Sequence, residues 1–269
     1  MWGDDEPYEG RYYRRPARVV YLTGPHARYG PGPFTNFAGT PGASAPGGME
    51  RGEVRETPPP SGGGGITSPE ELRDLTIAIL ALSLIFSMSD IKLVLLTGGP
   101  AWLAGLFFLI SMAAVVLCFF THEMGHKIMA RRYGCWAEFR RSDFGLAFGV
   151  LLSFIGVYFA APGAVYHRGY LTVGQTGRIS ASGPATNALI GFIFLPLGVL
   201  LGDVPVLGYL AVYVVIVSGI LGIFNMLPVF IFDGRKVWDW SPAVYIGLLS
   251  ALIALLALAE YSFHFLGIL

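Results

Sequence analysis

Long apolar stretches alternate with short polar ones along the chain from about residue 67 onward. A helix needs about 20 mainly apolar residues to cross a lipid bilayer. This pattern predicts an all-α polytopic membrane protein with five to six transmembrane helices. The five clear candidates are Leu75–Leu96, Ala101–Phe120, Ile179–Leu201, Val206–Leu227 and Ala243–Leu266.

A sixth apolar stretch, Phe144–Tyr166, is interrupted by glycines and a proline. Basic residues of membrane proteins collect on the cytoplasmic side. If this stretch crossed the membrane, Arg168 and Arg178 would face the side opposite to Arg131. We therefore expect a re-entrant element that dips into the membrane and returns, buried in protein or lining a wet cavity. It could include β-strands that pair with an extended substrate; a full sixth span is the alternative.

Residues 1–66 differ from the rest of the chain. They are rich in Gly, Pro, Arg and Ser, and they end in PPPSGGGG. Such a composition buries too little apolar surface to offset the entropy of ordering it. We predict a disordered tail, which its arginines place on the cytoplasmic side, followed by one domain over residues 67–269. Order is expected to begin at Ser68, with Glu71 completing a capping box.

The composition supports a multi-pass protein of the cell membrane. Hydrophobic residues make up 54% of the chain and charged residues only 13%, against about 25% charged residues in soluble domains. The formal net charge is zero, so there is no basic signal for nucleic acid. The expected partners are the lipid bilayer and other membrane proteins.

The motif HEMGH, from His122 to His126, directly continues the second apolar stretch. Residues four apart lie on the same face of a helix. His122 and His126 can therefore direct two imidazoles at one metal ion, and Glu123 can reach a water molecule bound to it. This is the zinc-protease pattern His-Glu-x-x-His.

A catalytic zinc site needs a third protein ligand. Arg132 occupies the place where a longer zinc-protease signature has its third histidine. Asp233 follows the fourth predicted span, and Pro228 is expected to kink that span and turn the carboxylate back toward the metal. An unpaired carboxylate at that depth costs about 2.5–3.5 kcal/mol, which a cation would offset. The alternative is that Asp233 caps the interface before a turn at Gly234.

Two separated motifs together resemble the site-2 protease family of intramembrane zinc metalloproteases. The first is HEMGH, and the second is the pattern N-x-x-P-x-x-x-x-D-G at the end of the fourth span. The segment SGPATN, ending in Asn187, is similar to the family's Gly-x-x-x-Asn element. The resemblance covers residues 67–269 and leaves the tail unexplained. The second motif consists of Asn225, Pro228, Asp233 and Gly234.

The resemblance implies one zinc ion held by His122, His126 and Asp233, with Glu123 as the catalytic base. It implies a zinc-dependent intramembrane endopeptidase that cleaves single-span membrane proteins near the cytoplasmic side, as in regulated intramembrane proteolysis. Two amides, Asn187 and Asn225, could hold an unwound substrate or stabilise the oxyanion. They could equally well bond between helices.

Two other functions compete with this one. A metal-binding membrane scaffold or transporter-like protein without protease activity would also bury the ligands, but it gives Glu123 no reason to be an acid. A different membrane zinc peptidase would need a downstream Glu as third ligand, and Glu138 and Glu260 are poorly placed for that. The remaining histidines are expected at surface or interfacial positions. They are His26, His167 and His264.

Overall fold

The computed structural model describes residues 67–159, 161–168, 171–229 and 232–265. The predicted disordered tail, residues 1–66, lies outside the described residues. Within them the chain forms eight α-helices and two strands, and a π-helical turn joins α2 to α3 without a break. The elements are α1 Pro69–Leu96, α2 Ala101–Val115, the π-helical turn Val116–Phe120, α3 Thr121–Arg132, β1 Trp136–Arg141, α4 Asp143–Ser153, β2 Gly163–Arg168, α5 Val173–Leu200, α6 Pro205–Asn225, α7 Asp233–Trp240 and α8 Pro242–Phe265.

Five helical segments are long and apolar enough to cross a membrane, which confirms the predicted all-α polytopic fold. They are α1, the continuous helix from α2 through α3, α5, α6 and α8. Large apolar side chains on them, such as Trp102, Leu189 and Ile253, are more than half exposed, as expected where lipid covers the protein. Helices α1 and α5 begin six residues before the predicted spans, because their polar first turns continue the helix beyond the apolar stretch.

The stretch after the motif helix is re-entrant, and the alternative of a full sixth span is wrong. Strands β1 and β2 pair antiparallel, with Arg141 opposite Gly163, so the chain leaves and returns at one place. Helix α4 has 11 residues and extends about 16 Å, about half the thickness of a hydrocarbon core. We call residues 142–162 the re-entrant hairpin.

Close backbone packing explains the glycines of the re-entrant hairpin. A Cβ atom on Gly145 would lie only 2.0 Å from the carbonyl oxygen of Ala161. Only glycine therefore lets α4 lie against the returning chain. At the tip of the hairpin, Lys92 Nζ in the last turns of α1 donates to the carbonyl of Phe154 at 2.9 Å.

A buried ion pair joins the two-stranded sheet to the motif helix. Ser68 caps α1 as predicted, accepting from Glu71 N at 3.1 Å. The predicted capping box is wrong, however, because the Glu71 carboxylate accepts from Lys127 Nζ in α3 and from Phe139 N in β1 at 3.0 Å. Glu71 and Lys127 are 0% and 1% exposed. The Glu71–Lys127 pair thus fixes β1 against the helix that carries the motif.

Helix α6 ends instead of kinking. Its last residue is Asn225, so Pro228 lies in the loop before α7 and the predicted proline kink is wrong. Gly234 packs where α7 turns back beside the end of α6, since a Cβ atom there would lie 2.2 Å from the carbonyl oxygen of Met226. This turn brings Asp233, the first residue of α7, back toward the motif helix.

Candidate metal centre

The three predicted ligands converge on one point. His122 Nε2 lies 3.0 Å from His126 Nε2, and Asp233 Oδ2 lies 2.9 Å from His126 Nε2 and 3.8 Å from His122 Nε2. Two ligands at about 2.0–2.1 Å from a tetrahedral zinc ion lie about 3.3 Å apart. The observed separations bracket that value, so these residues form a group that can hold a metal ion.

Hydrogen bonds from α5 fix the orientation of both imidazoles. His126 Nδ1 donates to the carbonyl of Ile179 at 2.7 Å. With the Asn187 amide in the orientation that satisfies both of its polar atoms, His122 Nδ1 donates to Asn187 Oδ1 at 3.1 Å. Each Nε2 is then an electron-pair donor, as metal ligands require. Two such nitrogens and a carboxylate oxygen repel one another. A proton on one imidazole relieves one of these repulsive contacts, whereas a divalent cation bound to all three atoms relieves all of them. Two imidazole nitrogens and one carboxylate oxygen are ligands that zinc prefers.

Gly183 of α5 leaves the space beside the two nitrogens open. A Cβ atom on Gly183 would lie 2.4 Å from His126 Nε2 and 2.6 Å from His122 Nε2. That position is close to the distance of a metal ion from its imidazole ligands. The residues present therefore fit a bound zinc ion. No local pattern in the sequence indicates this role for Gly183, although the residue belongs to the SGPATN segment.

Glu123 has an unsatisfied oxygen in the same site. Its Oε2 is buried and has no hydrogen-bond partner among the described residues. Leaving a carboxylate oxygen buried in this way is costly. Glu123, His122, His126 and Asp233 line a cavity of about 40 Å³, and about 10–15 Å³ of such space is enough to hold one water molecule. The site can thus hold a water molecule within reach of a carboxylate base.

Asn187 supports a metal ligand and lies away from the cavity. It is fully buried, and its amide donates from Nδ2 to the carbonyl of Cys118 at 2.9 Å. Its Oδ1 accepts from His122 Nδ1 at 3.1 Å and from Gly222 N at 3.3 Å. Of the two alternatives for this amide, the geometry favours bonding between helices, because its polar atoms are engaged there.

Replacing Asn187 with leucine is expected to weaken zinc binding by about 10- to 100-fold, the usual effect of losing a partner that orients a ligand. Leucine fills a similar volume but offers His122 Nδ1 no acceptor. Competition with a chelator of known affinity measures the change. Asn225→Leu is the matched control, since Asn225 Nδ2 donates to Leu221 O at 2.9 Å and, within the described part of the chain, no hydrogen bond joins it to His122, His126 or Asp233. Equal zinc affinity in the Asn187 variant and wild type would contradict the assignment.

His167 of β2 also lines the cavity, together with Asn225 and Lys236. His167 was expected at a surface or interfacial position; it is half-buried, and pairing of β2 with β1 places it beside the candidate metal ligands. Lys236 Nζ lies 3.8 Å from Asp233 Oδ1 and so adds a positive charge beside that carboxylate. No local sequence pattern could have shown the position of His167, since it depends on long-range strand pairing.

Glu138 and Glu260 do not join the metal ligands. Glu138 Oε2 accepts from Arg140 Nη2 at 2.7 Å within the sheet, and Glu260 is exposed on α8. The alternative of a zinc peptidase with a downstream Glu as third ligand is therefore wrong. His26 and the side chain of His264 lie outside the described residues.

One curated protein of Methanocaldococcus jannaschii, "Putative zinc metalloprotease MJ0611", is 37% identical to this chain over 180 residues. The alignment covers 66% of this chain and 88% of that protein. No protein-family model matches the chain, and no solved structure matches it. The similarity thus extends over most of the relative's own length.

Proposed function

The chain belongs to the same family as this Methanocaldococcus jannaschii protein, and from that premise we propose that it is a zinc-dependent intramembrane endopeptidase of the site-2 protease type. Its substrates are single-span membrane proteins, which it cleaves near the cytoplasmic side in regulated intramembrane proteolysis. The N-terminal tail and the loop that holds β1 and β2 lie on that side, where the basic residues collect.

The observation that carries the proposal is the convergence of Asp233 on His122 and His126, beside an unsatisfied Glu123, where both histidines and Glu123 belong to a helix that can cross a membrane. Along the helix axis, His126 lies about 9 Å before Arg132 and His122 lies about 15 Å before it. Arg131 and Arg132 are exposed at the end of that helix. The ligands therefore lie below the level at which the helix becomes polar, which supports cleavage within the membrane.

The metal-binding residues, Glu123 and their hydrogen-bond partners have different roles in the proposed reaction. Zinc, when bound, supplies a Lewis acid that polarises the scissile carbonyl and lowers the pKa of a water molecule. Glu123 takes the proton from the attacking water and passes it to the leaving nitrogen. Asn187 and the carbonyl of Ile179 hold the two imidazoles in place. Lys236 Nζ lies 3.8 Å from Asp233 Oδ1 and attracts that carboxylate.

An extended substrate fits beside β2. Among the described residues β2 pairs only with β1, so its second edge has unpaired backbone groups. Gly163, Ala164 and Val165 of β2 line the cavity with the ligands. A peptide that adds to this edge as a strand gains backbone hydrogen bonds. An unwound segment of a substrate helix would have its scissile carbonyl exposed in that position.

The test is cleavage of a single-span substrate by the purified full chain in proteoliposomes. Glu123→Gln is expected to lower the cleavage rate by about 100- to 10,000-fold, because the general base is lost. Zinc content, measured by elemental analysis, is expected to stay at the wild-type level. Glu260→Gln, the same change at an exposed position of α8, serves as the control and should cleave normally.

Equal cleavage by wild type and Glu123→Gln would refute the assigned base. A wild-type protein that binds zinc but cleaves no single-span substrate would favour the metal-binding scaffold or transporter-like protein.

A further inference from the structure

His167 has no role in the chemistry assigned so far, yet it faces the metal centre. Residues alternate between the two faces of a strand, so Gly163, Val165 and His167 share one face of β2. All three line the cavity with the metal ligands, and so does Ala164 between them. In β1 the residue opposite His167 is Ala137, whose small side chain leaves the imidazole room on that face.

One chemical task at this site also lacks a residue. Adding water to a peptide carbonyl creates an oxyanion, and a fixed hydrogen-bond donor directed at that oxygen is among the largest contributions to catalysis. Glu123 is engaged in moving the proton, and the amide of Asn187 is engaged between helices. The Asn225 amide donates to the carbonyl of Leu221, and the Lys236 ammonium lies beside the Asp233 carboxylate. His167 projects from the strand beside which an extended substrate would lie, so it can approach the substrate carbonyl directly.

We propose that His167 is a catalytic residue that donates a ring N–H to the carbonyl oxygen of the scissile peptide bond. The inference rests on the proposed protease function. As the bond from the water oxygen to the carbonyl carbon forms, the electron pair of the C=O bond moves to this oxygen and His167 stabilises it. When the C–N bond breaks, the electron pair returns and the nitrogen takes its proton from Glu123. His167 keeps its own proton throughout.

The electrostatic surroundings of His167 are consistent with this role. Burial and the nearby charge of Lys236 lower the pKa of the His167 imidazole, although a hydrogen bond to the Val165 backbone opposes the shift. In the proposed step the ring N–H turns from Val165 to the substrate carbonyl. The ring is then neutral near pH 7, with one N–H to donate. A neutral donor adds no positive charge beside the metal and Lys236, and it strengthens its hydrogen bond as negative charge develops on the oxygen.

The proposal is tested with two variants of the full chain in proteoliposomes. His167→Phe keeps a flat ring but removes the donor, and its kcat is expected to fall about 100- to 1000-fold with KM and zinc content near wild type. His167→Gln supplies a side-chain N–H and is expected to recover about tenfold of that loss. Tyr166→Phe, on the opposite face of the same strand, is the matched control and should behave as wild type.

A second measurement separates this proposal from the protease function itself. A peptidyl phosphinate, whose tetrahedral oxygens mimic the oxyanion, is expected to bind about 10- to 100-fold more weakly to His167→Phe than to wild type. Equal kcat and equal phosphinate affinity in His167→Phe and Tyr166→Phe would overturn the role of His167 while cleavage by wild type continues. Loss of zinc from His167→Phe would overturn it too, by showing that His167 acts on the metal site. If wild type neither cleaves nor binds the phosphinate, the proposed function fails and this inference fails with it.

Discussion

Gly183→Ala is expected to abolish zinc binding, reducing the metal content of the purified protein from one ion per chain to background. The added Cβ would lie 2.4 Å and 2.6 Å from the Nε2 atoms of His126 and His122, in the space an ion bound to both nitrogens needs. Both imidazoles are held from behind by α5, so they cannot turn away to make room. Elemental analysis after purification measures the change.

The control is Gly105→Ala in α2, where the same methyl group would meet nothing within 4 Å. It is expected to retain a full complement of zinc. One zinc ion per chain in Gly183→Ala would show that the ion does not lie beside Gly183, and the assigned ligand set would have to be abandoned.

Lys127→Met is expected to destabilise the fold by about 3–5 kcal/mol, because it leaves the carboxylate of Glu71 buried without a countercharge. Methionine preserves most of the apolar length of the lysine side chain. Glu71 would still accept from Phe139 N, but one backbone amide cannot replace an ammonium group. Unfolding of the detergent-solubilised protein in a denaturant series measures the loss.

The double variant Glu71→Gln with Lys127→Met is the decisive comparison. It removes both charges and leaves a neutral amide oxygen that can accept from Phe139 N. Replacing a whole buried pair costs much less than breaking one, so the double variant is expected to regain most of the lost stability. If the double variant is as unstable as Lys127→Met alone, the unpaired charge is not the cause.

The spans and the candidate ligand set could be predicted because each depends on a short local pattern. A run of apolar residues fixes a membrane helix by length alone, and the spacing of His122 and His126 places both on one helix face. Asp233 stood out because a carboxylate directly follows a broken apolar run. The re-entrant hairpin could be predicted from the distribution of basic residues, which constrains where a segment begins and ends.

The remaining features depend on contacts between distant parts of the chain. Glu71 has the sequence position of a capping-box residue, but the buried ammonium of Lys127 outweighs a local backbone amide as its partner. His167 belongs to the site only because it pairs across the sheet with Ala137, 30 positions earlier. Asn187 could not be assigned to His122 before the packing of α5 on α3 was known.

The metal ligands also come from two helices that are on the order of a hundred residues apart in the chain. His122 and His126 lie on α3, and Asp233 is the first residue of α7. An ion bound by ligands from both helices acts as a cross-link between α7 and the motif helix. Part of the free energy of metal binding therefore adds to the free energy of folding. Removing the ion with a chelator would then destabilise the packing around the end of α6 as well as remove the metal that the proposed reaction needs.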